Sequence, residues 1–255
     1  MEVLVAIPAR YASSRYPGKP LVPLTGASGV ARTLIERSWR AAQAVDGVDR
    51  VVVATDDDRI RDACEGFGAE VVMTSSDCAN GTERCAEAHA ALGGKYDIIV
   101  NLQGDAPLTP HWFIEDLIAG LRAAPDAGVA TPVLRCDGAA LNGFLADLFA
   151  SDKSALYFSK EVVPFTSETY ADDAETPVFH HVGVYAYRPD ALASYGAWPT
   201  GPLERLEGLE QLRFMENGRK VLCVEVEARD RQFWELNNPE DVPRLETMMK
   251  QMGLE

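Results

Sequence analysis

The sequence predicts an α/β fold built on a mostly parallel sheet, and three observations carry that prediction. Short continuous apolar runs (Val3-Leu4-Val5-Ala6-Ile7, Val51-Val52-Val53-Ala54, Ile98-Ile99-Val100) read as strands covered on both faces. Helical stretches alternate with them, the pattern of a parallel sheet with right-handed crossovers. At 255 residues and 47% apolar content, the chain can bury a full core as one domain, 1–255, with room for a small appendage.

The first strand empties into a loop that carries Arg10, Arg15 and Lys19, with Ser13, Ser14 and Gly18 between them. Cations, hydroxyls and a permissive glycine at a strand's carboxyl end suit a polyphosphate. The same pattern also fits a solvated basic turn. No G-x-x-x-x-G-K-[ST] occurs, and Gly26-Ala27-Ser28-Gly29 lacks the dinucleotide spacing, so neither a P-loop ATPase nor an NAD enzyme is favoured. Thr33 to Val45 places Ile35, Trp39 and Ala42 on one helical face. Asp49 to Thr55 is a second strand, and Asp56-Asp57-Asp58 then starts a helix as capping and solubilising carboxylates. Val71-Val72-Met73 is a third strand, and Gly81-Thr82-Glu83-Arg84 opens another helix. Asp97 to Leu102, a fourth strand, delivers Gln103-Gly104-Asp105. A carboxylate just past a strand end, opposite a basic loop, can hold Mg²⁺ on a triphosphate, although a lone Asp there is also an ordinary turn residue.

Ala127 to Val133 adds a strand, and Thr166 to Pro177, acidic and polar, reads as a mobile loop. Leu203, Leu206, Leu209 and Leu212 form a stripe whose plain reading is core packing. Val221 to Val226 is a late strand and Pro239 to Met249 a closing helix; no internal repeat or low-complexity stretch intervenes.

Net charge is −15, which argues against a nucleic-acid partner. Residues 1–40 nevertheless hold six Lys/Arg against Glu2 and Glu36, a local +4 that leaves −19 for the remainder. An acidic chain that concentrates cations beside its first strand has an anion to hold there. No apolar run of about 18 residues is present, so no membrane span is expected. The start lacks a basic n-region, so no signal peptide is expected. Five scattered cysteines without a C-x-x-C pair read as reduced thiols of a cytoplasmic protein, not a disulfide frame or zinc site.

Arg10-Tyr11-Ala12-Ser13-Ser14-Arg15-Tyr16-Pro17-Gly18-Lys19-Pro20-Leu21 resembles the signature of the sugar-acid cytidylyltransferases, closest to the 3-deoxy-manno-octulosonate (CMP-Kdo synthetase) family. Met73 to Arg84, Ala155 to Lys160 and His181 to Arg188 are similar to further segments of that family, so the resemblance runs over nearly the whole chain. It implies a Rossmann-like sheet of the nucleotide-diphospho-sugar transferase type. The nucleotide half would take about 1–133, an acceptor-binding and dimerisation portion about 134–220, and a closing strand and helix 221–255. The implied reaction joins CTP to an eight-carbon keto sugar acid for lipopolysaccharide synthesis, with Mg²⁺ as cofactor and a homodimer as the assembly.

By the same resemblance, Arg10, Lys19 and Asp105 are catalytic. Arg10, Ser13, Arg15, Lys19, Thr74, Gly81, Thr82, Arg84 and Gln103 bind nucleotide. Gln103, His181, Tyr185, Glu210 and Gln211 bind the acceptor, and Asp105 with Asn237 holds the metal. A polar cluster of the acceptor kind suits a polyol, while His181 alone would read as an ordinary partly buried histidine.

Several positions depart from the family pattern. Cys78 stands for its histidine, Asn80 for its serine, Ala106 for a glutamate, His180 for an arginine and Asn237 for its second metal-binding aspartate, and Asn142 to Phe149 lacks a valine-lysine pair. These departures keep two other readings open. One is the same CTP chemistry on a different acidic acceptor, an amino-sugar acid or a phosphonate. The other is a nucleotide-binding homologue without catalysis.

Overall fold

β1 (Val3–Ala9) lies in the interior of its sheet, with Val3 to Ile7 entirely buried. A run with no polar face has no solvent side, and neighbours on both edges cover it. In this computed structural model, residues 1–13, 15–105, 107–137, 146–165, 171 and 175–255 are described. The chain divides into two units, one of residues 1–115 with 229–255 and one of residues 116–228.

In the first unit β1 is flanked by β4 (Arg50–Thr55) and β6 (Ile98–Leu102), both parallel to it, and β5 (Glu70–Met73) extends the sheet beside β4. Val5 lies opposite Val51 on one side and Val100 on the other, so the three strongest apolar runs pair with one another. The connecting helices are α1 (Leu34–Gln43), α2 (Asp58–Gly66) and α3 (Gly81–Ala91). Thr33 caps α1 instead of opening it, its hydroxyl accepting from the Glu36 N–H at 3.3 Å. Asp57 does the same for α2, so the expected capping role of that acidic run holds. A hairpin of β2 (Pro23–Thr25) and β3 (Ala31–Thr33), which carries no strong sequence pattern, precedes α1. It packs with Leu24 and Leu34 against Leu236, Leu245 and Met249.

α4 (His111–Ala123) leads into the second unit, where β7 (Val129–Asp137) is the central strand. β10 (Glu175–His181) and β11 (Val184–Tyr187) pair with it antiparallel, and β12 (Val221–Glu225) pairs with it in parallel. β8 (Ala146–Phe149) lies between β10 and β9 (Ala155–Ser159). Outside the β2–β3 hairpin the strand pairs of the first unit are therefore parallel, while antiparallel pairing dominates the second. Three short helices complete it: α5 (Pro189–Tyr195), α6 (Pro202–Glu207) and α7 (Leu212–Glu216).

Three expectations need correction. The polar loop over 166–177 is shorter, because Glu175 to Pro177 already belong to β10 and sheet pairing overrides the local polar pattern. The rest of that stretch, apart from residue 171, and positions 142–145 and Ala106 lie outside the described residues. The leucine stripe is not one core face. Leu209 and Leu212 are buried, but Leu203 is exposed and Leu206 is 83% exposed. The reason is Gly208, whose left-handed backbone (φ 63°) ends α6, so the four leucines never share a helix. Finally, α8 (Asp241–Gln251) starts two residues later than expected. The Asp241 carboxylate accepts from the N–H groups of Asn237 and Asn238 and from Trp234 Nε1, which holds a turn there instead.

Within the second unit, Arg213 and Glu204 form a buried bidentate pair, both contacts at 2.7 Å. Removing one member leaves the other charge uncompensated. Arg213→Met should destabilise the protein by about 3–5 kcal/mol, read as a lower urea midpoint, whereas a change within error would make the pair dispensable.

Candidate nucleotide site

The carboxyl ends of β1 and β6 open into a cavity of about 270 Å³ in the first unit. This is where ligands sit in open α/β sheets, since the loops on adjacent parallel strands diverge there. Pro8 to Arg10, Ser13, Arg15 and Lys19 line it from β1, and Gln103, Gly104 and Asp105 from β6. The start of α3 closes a third side with Cys78 to Gly81 and Arg84.

The loop after β1 folds around Tyr11. Its carbonyl accepts from the N–H groups of Ser13 (3.0 Å) and Gly18 (2.9 Å). Gly18 has φ 73°, and a Cβ there would meet the Tyr11 ring at 3.1 Å, so both conformation and space demand glycine. The Arg59 guanidinium lies 3.3 Å over the same ring, anchored by the Asp57 carboxylate through Nε (2.9 Å) and Nη2 (2.6 Å). Those hydrogen bonds hold the Asp57 carboxyl below its ordinary pKa, against the opposing effect of burial.

At α3, Asn80 performs the cap. Its Oδ1 accepts from the Glu83 N–H at 2.9 Å while Glu83 Oε2 accepts from the Ala79 N–H at 2.8 Å, a reciprocal arrangement. The helix thus presents its positive end to the cavity. A Cβ on Gly81 would come within 3.2 Å of both Gln103 Nε2 and Pro8 Cγ, so this helix start sits directly against the two strand ends. Arg84, nearly fully buried, donates to Thr74 Oγ1 at 2.5 Å and lies 3.3 Å from Asp56 Oδ1.

Two contacts join the cations to residues expected to bind metal. Lys19 Nζ is 2.7 Å from Asp105 Oδ2, and Arg15 Nη2 donates to Asn237 Oδ1 at 3.3 Å. The Leu236 N–H donates to the Asp105 carbonyl at 3.0 Å, which brings the late segment beside the loop after β6. Burial pushes the Asp241 carboxyl up, but hydrogen bonds from Trp234 Nε1 and the Asn238 and Asn237 N–H groups outweigh it, leaving its pKa below the ordinary value. Among the described residues no three His, Cys, Asp or Glu gather as a metal cage. One carboxylate with one amide oxygen fits a magnesium ion that arrives on a triphosphate, because Mg²⁺ takes few protein ligands and completes its shell with phosphate and water.

Of the expected nucleotide residues, Arg10, Ser13, Arg15, Lys19, Gly81, Arg84 and Gln103 share the cavity. Thr74 and Thr82 are buried and do not line it; Thr74 reaches it through Arg84. The expected acceptor residues cluster in the second unit, apart from Gln103. His181 Nε2 and the Tyr185 hydroxyl are 2.9 Å apart, and that hydroxyl donates to Gln211 Oε1 at 3.2 Å. All three are buried, and Gln211 Nε2 has no hydrogen-bond partner among the described residues. Glu210 is half-buried between α6 and α7. Sequence reasoning missed Tyr11 and Arg59 as the supports of the loop. The aromatic-glycine spacing was visible, but the partner on α2 was not.

Cys78 lines the cavity, yet its thiol donates to Glu87 Oε2 at 3.0 Å. Burial and that carboxylate push its pKa up to about 12, so on the order of one thiol in 10⁴ is ionised at pH 8. Iodoacetamide at pH 8 should therefore label Cys78 far more slowly than free cysteine, and Glu87→Gln should speed the reaction. Fast labelling of the unchanged protein would contradict this environment.

Comparison with known proteins agrees with the geometry. The sequence profile of the family described as cytidylyltransferase matches residues 4–221. A 3-deoxy-manno-octulosonate cytidylyltransferase of Maricaulis maris is 44% identical, covering 99% of each chain. An 8-amino-3,8-dideoxy-manno-octulosonate cytidylyltransferase of Shewanella sediminis is 41% identical over 95% of this chain and 96% of its own. A solved CMP:2-keto-3-deoxy-manno-octonic acid synthetase, complexed with CTP, superposes with a TM-score of 0.87 at 34% identity over 99% of this chain and 100% of its own. With its cation-lined cavity at the ends of β1 and β6 and relatives that match from end to end, the chain belongs to the cytidylyltransferase family, among the 3-deoxy-manno-octulosonate cytidylyltransferases.

Proposed function

We propose that this enzyme transfers CMP from CTP to a hydroxyl of 3-deoxy-manno-octulosonate, releasing pyrophosphate, with Mg²⁺ as cofactor. The observation that carries the reading is the single cavity lined by Arg10, Arg15, Lys19 and Asp105. The acceptor oxygen attacks the α-phosphorus of CTP in line. The bond from that phosphorus to the α–β bridging oxygen breaks, the hydroxyl proton passes to solvent, and pyrophosphate leaves. Such a transfer asks the protein for position and charge, not for a covalent intermediate.

Arg10, Arg15 and Lys19 neutralise the triphosphate and stabilise the charge that builds on the leaving pyrophosphate. The α3 N-terminus adds its dipole, and Gln103 orients the acceptor hydroxyl. When bound, magnesium supplies further charge neutralisation and acidifies the acceptor hydroxyl, with Asp105 and the Asn237 carbonyl to hold it. His181, Tyr185, Glu210 and Gln211 select the acceptor. The Gln211 Nε2 group supports this role, since a buried donor with no partner among the described residues costs stability unless a ligand oxygen satisfies it.

A second acceptor, the 8-amino analogue, is favoured by the similarity to the Shewanella enzyme, nearly as high as that to the Maricaulis enzyme. Pyrophosphate release with CTP and each acid in turn separates the two, and release with neither acid would sink both. The enzyme acts in the cytoplasm as a homodimer on this reading. Support for the dimer comes from apolar groups left exposed in the second unit: Leu206 (83%), Phe165 (91%) and Leu156 (53%). The contact of Tyr157 Oη with Glu207 at 3.2 Å sets β9 beside α6, where Leu156 and Leu206 lie. Leu206→Glu should shift the sedimentation coefficient toward a monomer; an unchanged dimer would place the interface elsewhere.

Two variants test the chemistry. Asp105→Asn should keep the fold and lower turnover by at least about 10²-fold, the scale of one lost electrostatic stabiliser. Lys19→Ala should lower kcat more than it raises the KM for CTP, because charge grows on the β-phosphate in the transition state. A rise in KM alone would make Lys19 a uniform binding contact.

A further inference from the structure

The two residues suited to a metal are also the two that hold phosphate-binding cations. Lys19 Nζ sits 2.7 Å from Asp105 Oδ2, with side chains only 15% and 28% exposed. Arg15 Nη2 donates to Asn237 Oδ1 at the longer distance of 3.3 Å, in an exposed position. The first is a charged pair partly shielded from solvent; the second joins a cation to a neutral amide. We propose that Asp105 and Asn237 are positioning residues for Lys19 and Arg15, and that nucleotide and metal bind together by exchanging these partners. The proposal rests on the reading of Lys19 and Arg15 as triphosphate ligands and of Asp105 as a magnesium ligand.

The argument is one of competition. An ammonium that points its donors at Asp105 must turn away before it can serve a phosphate oxygen. Metal-free CTP therefore competes with Asp105 for Lys19. Conversely, Asp105 offers an ion less while it remains paired with Lys19. When both arrive as one complex, Lys19 turns to phosphate and Asp105 to the ion, and neither charge is left uncompensated. CTP and magnesium must then strengthen each other's binding by the same factor. The two pairs are unequal by design of their chemistry. Arg15 is held only by an amide oxygen, so it releases readily and engages the triphosphate first. An aspartate at position 237 would hold Arg15 by charge and deepen the competition.

Equilibrium binding of CTP, measured by titration calorimetry in EDTA and again in Mg²⁺, tests this without reference to turnover. In EDTA, Asp105→Asn should bind CTP about three- to tenfold more tightly than the unchanged enzyme, the range of a freed, partly shielded ion pair. A negative charge near the triphosphate could give the same gain by simple repulsion, so the measurement is repeated in a Lys19→Ala background. If Asp105 acts by holding Lys19, the gain vanishes there. If the gain persists undiminished, or never occurs, the exchange is overturned. Asn237→Asp should move the other way, binding metal-free CTP about threefold more weakly while gaining more from added Mg²⁺. Tighter binding in EDTA by that variant would also overturn the proposal. The underlying reading fails separately: in that case Mg²⁺ would not strengthen CTP binding to the unchanged enzyme at all.

Discussion

The ion pair between Lys19 and Asp105, 2.7 Å across the ends of β1 and β6, is the contact on which the first unit's arrangement depends. It exists because two buried, mostly apolar parallel strands lie side by side in the interior and emit their polar loops at the same edge. Cations gathered in one cavity repel one another until something answers them. Asp105 answers Lys19, and the neighbouring Leu236–Asp105 backbone bond brings Asn237 within reach of Arg15. The closing α8 and its turn on Asp241 are thereby tied to the cation loop as well as to the core.

Around that pair the supports are local and rigid. Tyr11 collects the loop's amide groups, Gly18 lets the ring come close, and Arg59 covers it. Asn80 and Glu83 cap α3, and the start of that helix lines the cavity. The second unit uses a different physics. Three of its expected acceptor residues form a hydrogen-bonded chain, His181 to Tyr185 to Gln211, set in packed aromatics that include Phe158 and Tyr187. Charge suits a polyphosphate, which any cation attracts. Hydrogen bonds suit a sugar, which must be distinguished hydroxyl by hydroxyl.

The departures from the family pattern look less disruptive in three dimensions than along the chain. Asn80 in place of serine still caps the helix, because either side chain offers an oxygen to the N3 amide. Cys78 in place of histidine is tied to Glu87 and kept protonated, so it is a quiet wall of the cavity and not a nucleophile. Asn237 still faces Arg15 through its carbonyl. The intact set of Arg10, Arg15, Lys19 and Asp105 in one cavity, together with the family membership, leaves no support for a homologue without catalysis.

Read alone, the chain determined the fold class and the cation loop. Short, β-branched apolar runs alternating with helical stretches read as interior strands, and the excess of positive charge in residues 1–40 of an acidic protein is a matter of counting. Capping by the Asp56–Asp58 run was legible too, since Asp57 acts on a neighbour two residues away. The leucine stripe misled because spacing by three carries no notice of a helix break, and the left-handed Gly208 separates Leu203 and Leu206 on α6 from the buried Leu209 and Leu212. Pairings remained for the tertiary structure to decide. Arg15 and Asn237 are 222 residues apart in sequence, Lys19 and Asp105 are 86 apart, and Arg59 meets Tyr11 from another helix. Periodicity and propensity are properties of a few consecutive residues, whereas which charge answers which depends on where the sheet brings separate loops together.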